Sequence, residues 1–277
     1  MVSVVILDDI VFISPDDIKT IVYNCYTIYL KKNFDGKIKY GQQYYDFDNG
    51  IMTFFAPKQM ISVEAGNSEK VEGWMVVIHP DFIQNYPLAK QIKEYGFFSY
   101  ATNEALHLSD KEETVISGLI QNLQHEIETM IDHYTQDVIV SHIDLLLNYC
   151  NRFYNRQFIT RRKVSKDLFL KFEDLLTTYY QNDDFNVSVL PSVQYFAKKL
   201  SVSPHYLNDM LKNLTGQTTQ QHIQNQLIEK AKELLSITDL SVSEIAYRLG
   251  FEYPQSFSKL FKNKTSLTPL EFRQSFD

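Results

Sequence analysis

Two short stretches put hydrogen-bonding and cationic side chains on one side of a helical repeat and bulky apolar ones on the other. In "PHYLNDMLKNLT" (204–215), Leu207, Met210 and Leu211 form the apolar stripe, so His205, Asn208, Asp209 and Lys212 project the other way. In "PQSFSKLFKNKT" (254–265), Phe257, Leu260 and Phe261 form the stripe; Gln255, Ser256, Ser258 and Lys259 project, and Lys262 sits nearer the edge. These side chains suit a polyanionic duplex. The Asn208 amide can make paired hydrogen bonds to adenine, His205 can reach a base or a phosphate, and lysines meet the backbone. Asp209 can accept only from cytosine or orient a neighbour, and beside phosphates it opposes binding.

Such side chains read a groove only if a rigid support presents them. Each stretch follows a short helical pattern and a tight turn, and the pair is a duplication. Ala197 aligns with Ala246 and Leu200 with Leu249 at an offset of 49. Leu207 with Phe257, Leu211 with Phe261, Lys212 with Lys262 and Thr215 with Thr265 need 50, one residue having been added in the turn. In the later copy Ser241 and Glu244 form a capping box, Gly250 supplies a left-handed stop, and Pro254 suits a first helical turn. In the earlier copy Ser203 is the N-cap, Pro204 the first position, and Ser201 stands where Gly250 stands, so that turn must differ or carry slight strain. Ala197 and Ala246 are small where two helices cross closely. This is helix-turn-helix chemistry, the first helix bracing a second that enters the major groove. Between the copies, "TTQQHIQNQLIEKAKELLSI" reads as one unbroken helix of about 28 Å, close to the ~34 Å between successive groove segments on one face of B-DNA. Duplication would let one chain hold two groove segments.

The run "SVSEIAYRLGFEYPQSFSKLFKNKTSLTPLEFR" closely resembles the signature of AraC/XylS-type transcription regulators, through Ala246, Gly250-Phe251, Phe257, Phe261-Lys262, Thr268-Pro269 and Phe272-Arg273. The resemblance covers about Val187 to Phe276. It implies a bacterial DNA-binding regulator with an N-terminal cupin-like sensing and dimerisation domain. Family members often place a basic residue where Asp209 stands. Thr268 is expected to cap the last helix and Arg273 to brace it.

Ahead of the duplication, "TIVYNCYTIYL", "KIKYGQQYYDF", "GIMTFFAP", "QMISVEA" and "GWMVVIH" read as antiparallel strands, with turns at Asp35-Gly36, Asp48-Asn49-Gly50, Ala56-Pro57 and Gly66-Asn67. That spacing suits a small barrel or sandwich. From Pro80 the period becomes helical, with a capping box at Ser109 and Glu112. "DVIVSHIDLLLNYCNRFY" carries two apolar stripes. One, Ile139, Ile143, Leu146, Cys150 and Phe153, is expected to face a second copy of the chain as a homodimer seam; the other comprises Val138, His142, Leu145 and Tyr149. The alternative is a helix buried on both sides within its own domain. The expected fold is therefore α+β. It has a cupin-like barrel with following helices over 1–160, a linker with one helix over 161–184, and an all-α double helix-turn-helix domain over 185–277.

Composition bounds the rest. From Phe185 onward ten Lys/Arg meet eight Asp/Glu, whereas the whole chain is −7, so the acidic excess lies in the first part and indiscriminate nucleic-acid coating is disfavoured. No apolar run reaches a membrane span and no basic flank marks a signal peptide, which gives an expected cytoplasmic location. Cys25 and Cys150 stand alone. None of the seven histidines (His79, His107, His125, His133, His142, His205 and His222) precedes residue 79, so the two-His and Glu metal set of many cupins is absent, and no metal or cofactor is expected. No nucleophile elbow, phosphate-cradling loop or HExxH pair occurs, which argues against an enzyme. Tyr23, Tyr26, Tyr29, Tyr40, Tyr44, Tyr45, Phe47, Phe54, Phe55 and Trp74 could line a pocket for a small organic effector of unknown identity. The expected partners are double-stranded DNA, a second copy of the chain, a small-molecule effector and RNA polymerase. An adaptor whose first domain binds a protein and no small ligand stays open.

Overall fold

The computed structural model describes residues 1–9, 19–32, 37–40, 43–46, 50–63, 72–129, 132–160, 162–181 and 190–275. The chain divides into two compact units, Met1–Thr160 and Arg161–Asp277.

In the first unit the runs rich in Val, Ile, Tyr and Phe form β1 (Val2–Ile6), β2 (Lys19–Val22), β3 (Tyr26–Lys32), β4 (Lys37–Tyr40), β5 (Gln43–Asp46), β6 (Ile51–Phe55), β7 (Met60–Val63), β8 (Glu72–Ile78) and β9 (Leu106–His107). They assemble as one antiparallel sheet in the order β1-β8-β3-β6-β9 and two separate ladders, β2-β7 and β4-β5. Among the described residues no ladder closes the sheet into the expected barrel. The turn candidates Asp35-Gly36, Asp48-Asn49 and Gly66-Asn67 lie outside the described residues; Gly50 is left-handed at φ 73°.

Period-two alternation gives the central strands two faces. Ile28, Leu30, Met52, Phe54, Val76 and Ile78 are buried under the helices of the unit. Those helices are α1 (Pro80–Ile83), α2 (Leu88–Gln91), α3 (Asp110–Glu128) and α4 (Thr135–Thr160). Phe54 packs on Phe97 at 4.6 Å and Phe97 stacks on Tyr154 of α4 at 5.4 Å, so an aromatic cluster joins sheet to helix. Each such pair adds about 0.5–1.5 kcal/mol beyond its buried area. α3 opens on the Ser109–Glu112 capping box. Glu112 also takes both Nε and Nη2 of Arg156, at 2.9 and 2.6 Å, clamping the start of α3 to α4. Buried Gln157 accepts the His107 N–H at 2.8 Å and donates to the Ala105 carbonyl at 3.1 Å, serving short β9 as a neighbouring strand would. His79 caps α1, accepting the Asp81 N–H at Nδ1.

The second unit is helical: α5 (Arg162–Gln181), α6 (Val193–Lys199), α7 (Pro204–Thr215), α8 (Thr219–Ile237), α9 (Val242–Arg248), α10 (Pro254–Thr265) and α11 (Pro269–Gln274). The helix expected within the linker region is α5, and it packs on the helices that follow. α5 buries Phe172, Leu176 and Tyr180, and Phe172 meets Phe196 of α6 edge-on at 5.5 Å. Of the basic run, Arg161 and the side chains of Arg162 and Lys163 lie outside what is described.

Candidate nucleic-acid interface

The two copies share one hydrogen-bond pattern. After α6 the Val202 N–H bonds the Ala197 carbonyl at 3.0 Å, and after α9 Phe251 bonds Ala246 at 3.0 Å. This closure needs a left-handed residue, and both positions comply: Ser201 at φ 57° and Gly250 at φ 90°. The helix-closing bond is therefore the same in both copies, with Ser201 bearing the strain that Gly250 avoids, while the turn that follows is one residue longer in the second copy. At the far end the residue types swap. Gly216 (φ 75°) and Ser266 (φ 66°) bond the Lys212 and Lys262 carbonyls at 2.9 and 2.8 Å.

The repeat also runs further than helix-turn-helix spacing indicated. Thr215 and Thr265 each donate to the carbonyl four residues back at 2.8 Å, and Thr218 and Thr268 each form a capping box, with Gln221 and Glu271. Each copy is three helices, α6–α7–start of α8 and α9–α10–α11. The Thr-x-x-Thr pair at 215/218 and 265/268 was the sequence signal for it.

Within each copy the expected stripes face inward: Leu207, Met210, Leu211, Phe257 and Phe261 are buried, and Leu260 is half-buried. On the outer sides His205 and Lys212 of α7 are exposed, as are Gln255, Ser256, Lys259 and Lys262 of α10. Three candidates are less available. Asn208 is half-buried, its Oδ1 accepting the Thr219 N–H at 3.4 Å and its amide directed at Asp209 Oδ1, also at 3.4 Å. Ser258 donates to the Pro254 carbonyl at 3.1 Å. Asp209 is half-buried. α10 therefore presents three exposed lysines, Lys259, Lys262 and Lys264, where α7 presents one and a carboxylate, which makes it the more cation-rich of the two helices.

α8, the 19-residue strut, caps cleanly at Thr218 and buries Ile223, Leu227, Ile228, Ala231, Leu234 and Leu235 against both copies. Lys230 and Lys232 pair with Glu233 and Glu229 within it, which leaves them as surface ion pairs. Arg273 of α11 donates to the Leu235 and Leu240 carbonyls at 3.2 and 2.6 Å, tying the second copy to the end of the strut. His222 was not singled out from sequence, yet it joins three elements. Its Nε2 lies 2.9 Å from Thr215 Oγ1, its Nδ1 3.6 Å from Glu173 of α5, and its ring edge-on to Phe172. Burial pushes its pKa below the ordinary imidazole value, and the Glu173 carboxylate partly opposes that.

In the first unit one expected surface is corrected. Ile139, Ile143, Leu146, Cys150 and Phe153 of α4 are all buried within a single chain, Cys150 against the Met52 sulfur at 3.9 Å, so they cannot form a partner-facing seam. The exposed apolar side of α4 is the other stripe: Val138 is 36% and Leu145 45% exposed, with His142 and Tyr149 half-buried between them. The candidate effector aromatics also separate. Tyr26 and Phe54 belong to the helix-packed cluster, whereas Tyr29 and Phe55 meet edge-on at 5.8 Å on the opposite face. Phe47 and the side chains of Tyr40, Tyr44 and Tyr45 lie outside the described residues. Among the described residues no group of three His, Cys, Asp or Glu is arranged to hold a metal ion.

Residues 196–275 match a helix-turn-helix domain family. Over 81 residues the chain is 42% identical to the HTH-type transcriptional activator RhaS of Enterobacter sp. (strain 638), a stretch that is 29% of this chain and 29% of that protein. It is 28% identical over 118 residues to histidine kinase P4 of Formosa agariphila, covering 43% of this chain and 8% of the kinase. The matches thus span less than a third of the length of these curated relatives. Among solved structures, the C-terminal domain of the two-component response regulator yesN from Fusobacterium nucleatum aligns at 30% identity and TM-score 0.32, over 36% of this chain and 96% of that domain.

Proposed function

We propose that the chain is a sequence-specific DNA-binding regulator of the AraC/XylS type whose α7 and α10 enter two adjacent major-groove segments, a reading supported by the helix-turn-helix match over residues 196–275 and the similarity to the activator RhaS. The observation that carries this reading is the matched backbone register of the two copies on one continuous strut. Two helices braced through the same helix-closing bond, ~28 Å of rod apart, fit grooves that recur every ~34 Å along one face of the duplex. His205, Asn208, Asp209 and Lys212 meet the first segment, and Gln255, Ser256, Ser258, Lys259 and Lys262 the second. The first unit acts as a cupin-like sensing and pairing unit.

Two chains associate through Val138, His142, Leu145 and Tyr149, whose four-three-four spacing makes a coiled-coil seam on the exposed side of α4. A small effector in the first unit shifts the population of DNA-competent dimers through its differential affinity for them. No described helix is long and apolar enough to cross a membrane, and a cytoplasmic place with access to RNA polymerase suits this role. The test uses DNA fragments selected by the full chain. Gln255→Ala should relax base preference at one position, at a cost of about 1–3 kcal/mol, while Lys262→Ala should weaken all sequences alike and flatten the salt dependence. Equal loss on every sequence for Gln255→Ala contradicts the assignment.

A further inference from the structure

We propose that Asn225 of α8 is a positioning residue that sets the distance and angle between the two DNA-reading helices, by holding the far end of α10 to the turn that closes α7. The inference rests on the reading of α7 and α10 as two groove readers and adds what fixes their relative placement. The Asn225 amide is bonded on both sides. Its Oδ1 accepts from the Lys264 ammonium at 3.0 Å, and its Nδ2 donates to the Gln217 side-chain carbonyl at 3.1 Å. Lys264 is the last residue but one of α10, and Gln217 lies two residues past the end of α7. One half-buried side chain on the strut therefore joins the C-terminal ends of both helices. Gln217 is itself fixed: its N–H donates to Thr215 Oγ1 at 3.2 Å, and that oxygen lies 2.9 Å from His222 Nε2.

The apolar packing between strut and copies is non-directional, so directed polar bonds must define the angle. Arg273 ties the second copy to the strut at the Leu235 carbonyl, about 15 Å along the helix from Asn225. One anchor leaves a pivot, whereas a second anchor that far along the rod opposes rotation about the first. The repeat supplies an internal comparison. Leu267 stands in the second copy where Gln217 stands in the first, and its N–H donates to Thr265 Oγ1 at 3.3 Å, so the turn closes without an amide side chain. Leu214 likewise stands in the first copy where Lys264 stands in the second. Neither polar type is demanded by the repeat itself, yet the two meet through Asn225. Lys230 and Lys232 bond glutamates within α8, whereas the Lys264 bond joins two elements 39 residues apart in sequence.

The experiment uses the DNA fragment selected by the full chain and two derivatives with one base pair inserted or removed between the protected patches. One base pair displaces the patches by about 3.4 Å and ~35° of twist. In anisotropy titrations at fixed salt, the wild-type chain should bind both derivatives about tenfold or more weakly than the selected fragment. Asn225→Ala and Lys264→Met should each cut that penalty to about threefold or less, and the double variant should cut it no further, because both break the same bracket. Asn225→Asp should keep the full penalty, since its carboxylate accepts from Lys264 and from a reversed Gln217 amide. Taking the ratio within each variant cancels the general change in affinity from a lost or added charge. Lys264 is exposed, so Lys264→Met carries the test should Asn225→Ala fail to fold. An undiminished penalty in Lys264→Met and in folded Asn225→Ala, a penalty lost equally in Asn225→Asp, or a wild-type chain indifferent to spacing overturns the inference. Any of these with two patches in the wild-type footprint removes this inference alone, and a single patch removes the two-segment reading beneath it.

Discussion

His222 and Phe272 occupy matching places in the two copies, fifty residues apart, and only the histidine titrates. Phe272 packs on Phe261 at 5.5 Å, whereas His222 bridges Thr215 and Glu173. Its pKa is lowered in the folded chain, so above the unfolded value of about 6.5 both states are neutral and its full contribution is present. Below about 6.5 the unfolded chain takes up a proton that the folded one resists, and stability falls with pH until the folded value is passed. His222→Phe, which copies the second repeat into the first, should remove that acid-side loss, as measured by urea unfolding between pH 7.5 and 5; an unchanged slope contradicts it. Asp209 matches Lys259 in the same way. Asp209→Lys should tighten DNA binding about tenfold near 0.15 M salt and steepen the salt dependence by about one ion, read by anisotropy titration at several salt concentrations. No gain would mean that α7 does not approach phosphates. Single residues were legible where their chemistry is local: the capping boxes at Ser109 and Ser241, the cap at Thr268 and the brace at Arg273 all stand as expected. His222 and Asn208 were misjudged or missed because their partners, Glu173 and Thr219, lie on other helices.

Elements were read well in period and less well in facing. α4 carries two apolar stripes of equal regularity, and helical spacing cannot say which meets the sheet. The Cys150–Met52 contact and the burial of Ile143 and Leu146 decide it. Leu145→Glu on the exposed stripe should therefore shift the chain toward monomer in sedimentation while leaving the melting temperature within a few degrees; retention of the dimer places the seam elsewhere. α5 was taken for part of a linker because its flanks are basic and polar, although Phe172, Leu176 and Tyr180 at four-residue steps were the available sign of docking. The left-handed turns give a matched pair of substitutions. Ser201→Gly relieves a backbone penalty of about 1–2 kcal/mol against a glycine entropy cost of about 0.5–1 kcal/mol, so it should stabilise by roughly 0.5–1 kcal/mol. Gly250→Ala should destabilise by a similar amount, both read from chemical unfolding. The same sign for both would mean that the two turns are not equivalent.

For the whole molecule, the helices beyond Pro80 follow from the change in hydrophobic period there and the parting of the two units after Thr160 from the polar, basic run around it, both of which one chain displays without any long-range information. Sheet closure does not, because it depends on which distant strands pair. Here β3 joins β6 and β8 in one sheet, while β2-β7 and β4-β5 stand as separate ladders. The acidic excess ahead of Phe185 leaves the second unit slightly basic, so affinity for DNA must come from the placement of Lys212, Lys259 and Lys262 and not from bulk charge. Placement by duplication is the central claim, and hydroxyl-radical footprinting of the full chain on its selected DNA tests it most directly. Each protomer should protect two patches about 10 base pairs apart on one face of the duplex, with Gln255→Ala and Lys262→Ala weakening one patch before the other. A single patch per protomer, at any salt concentration that supports binding, contradicts it.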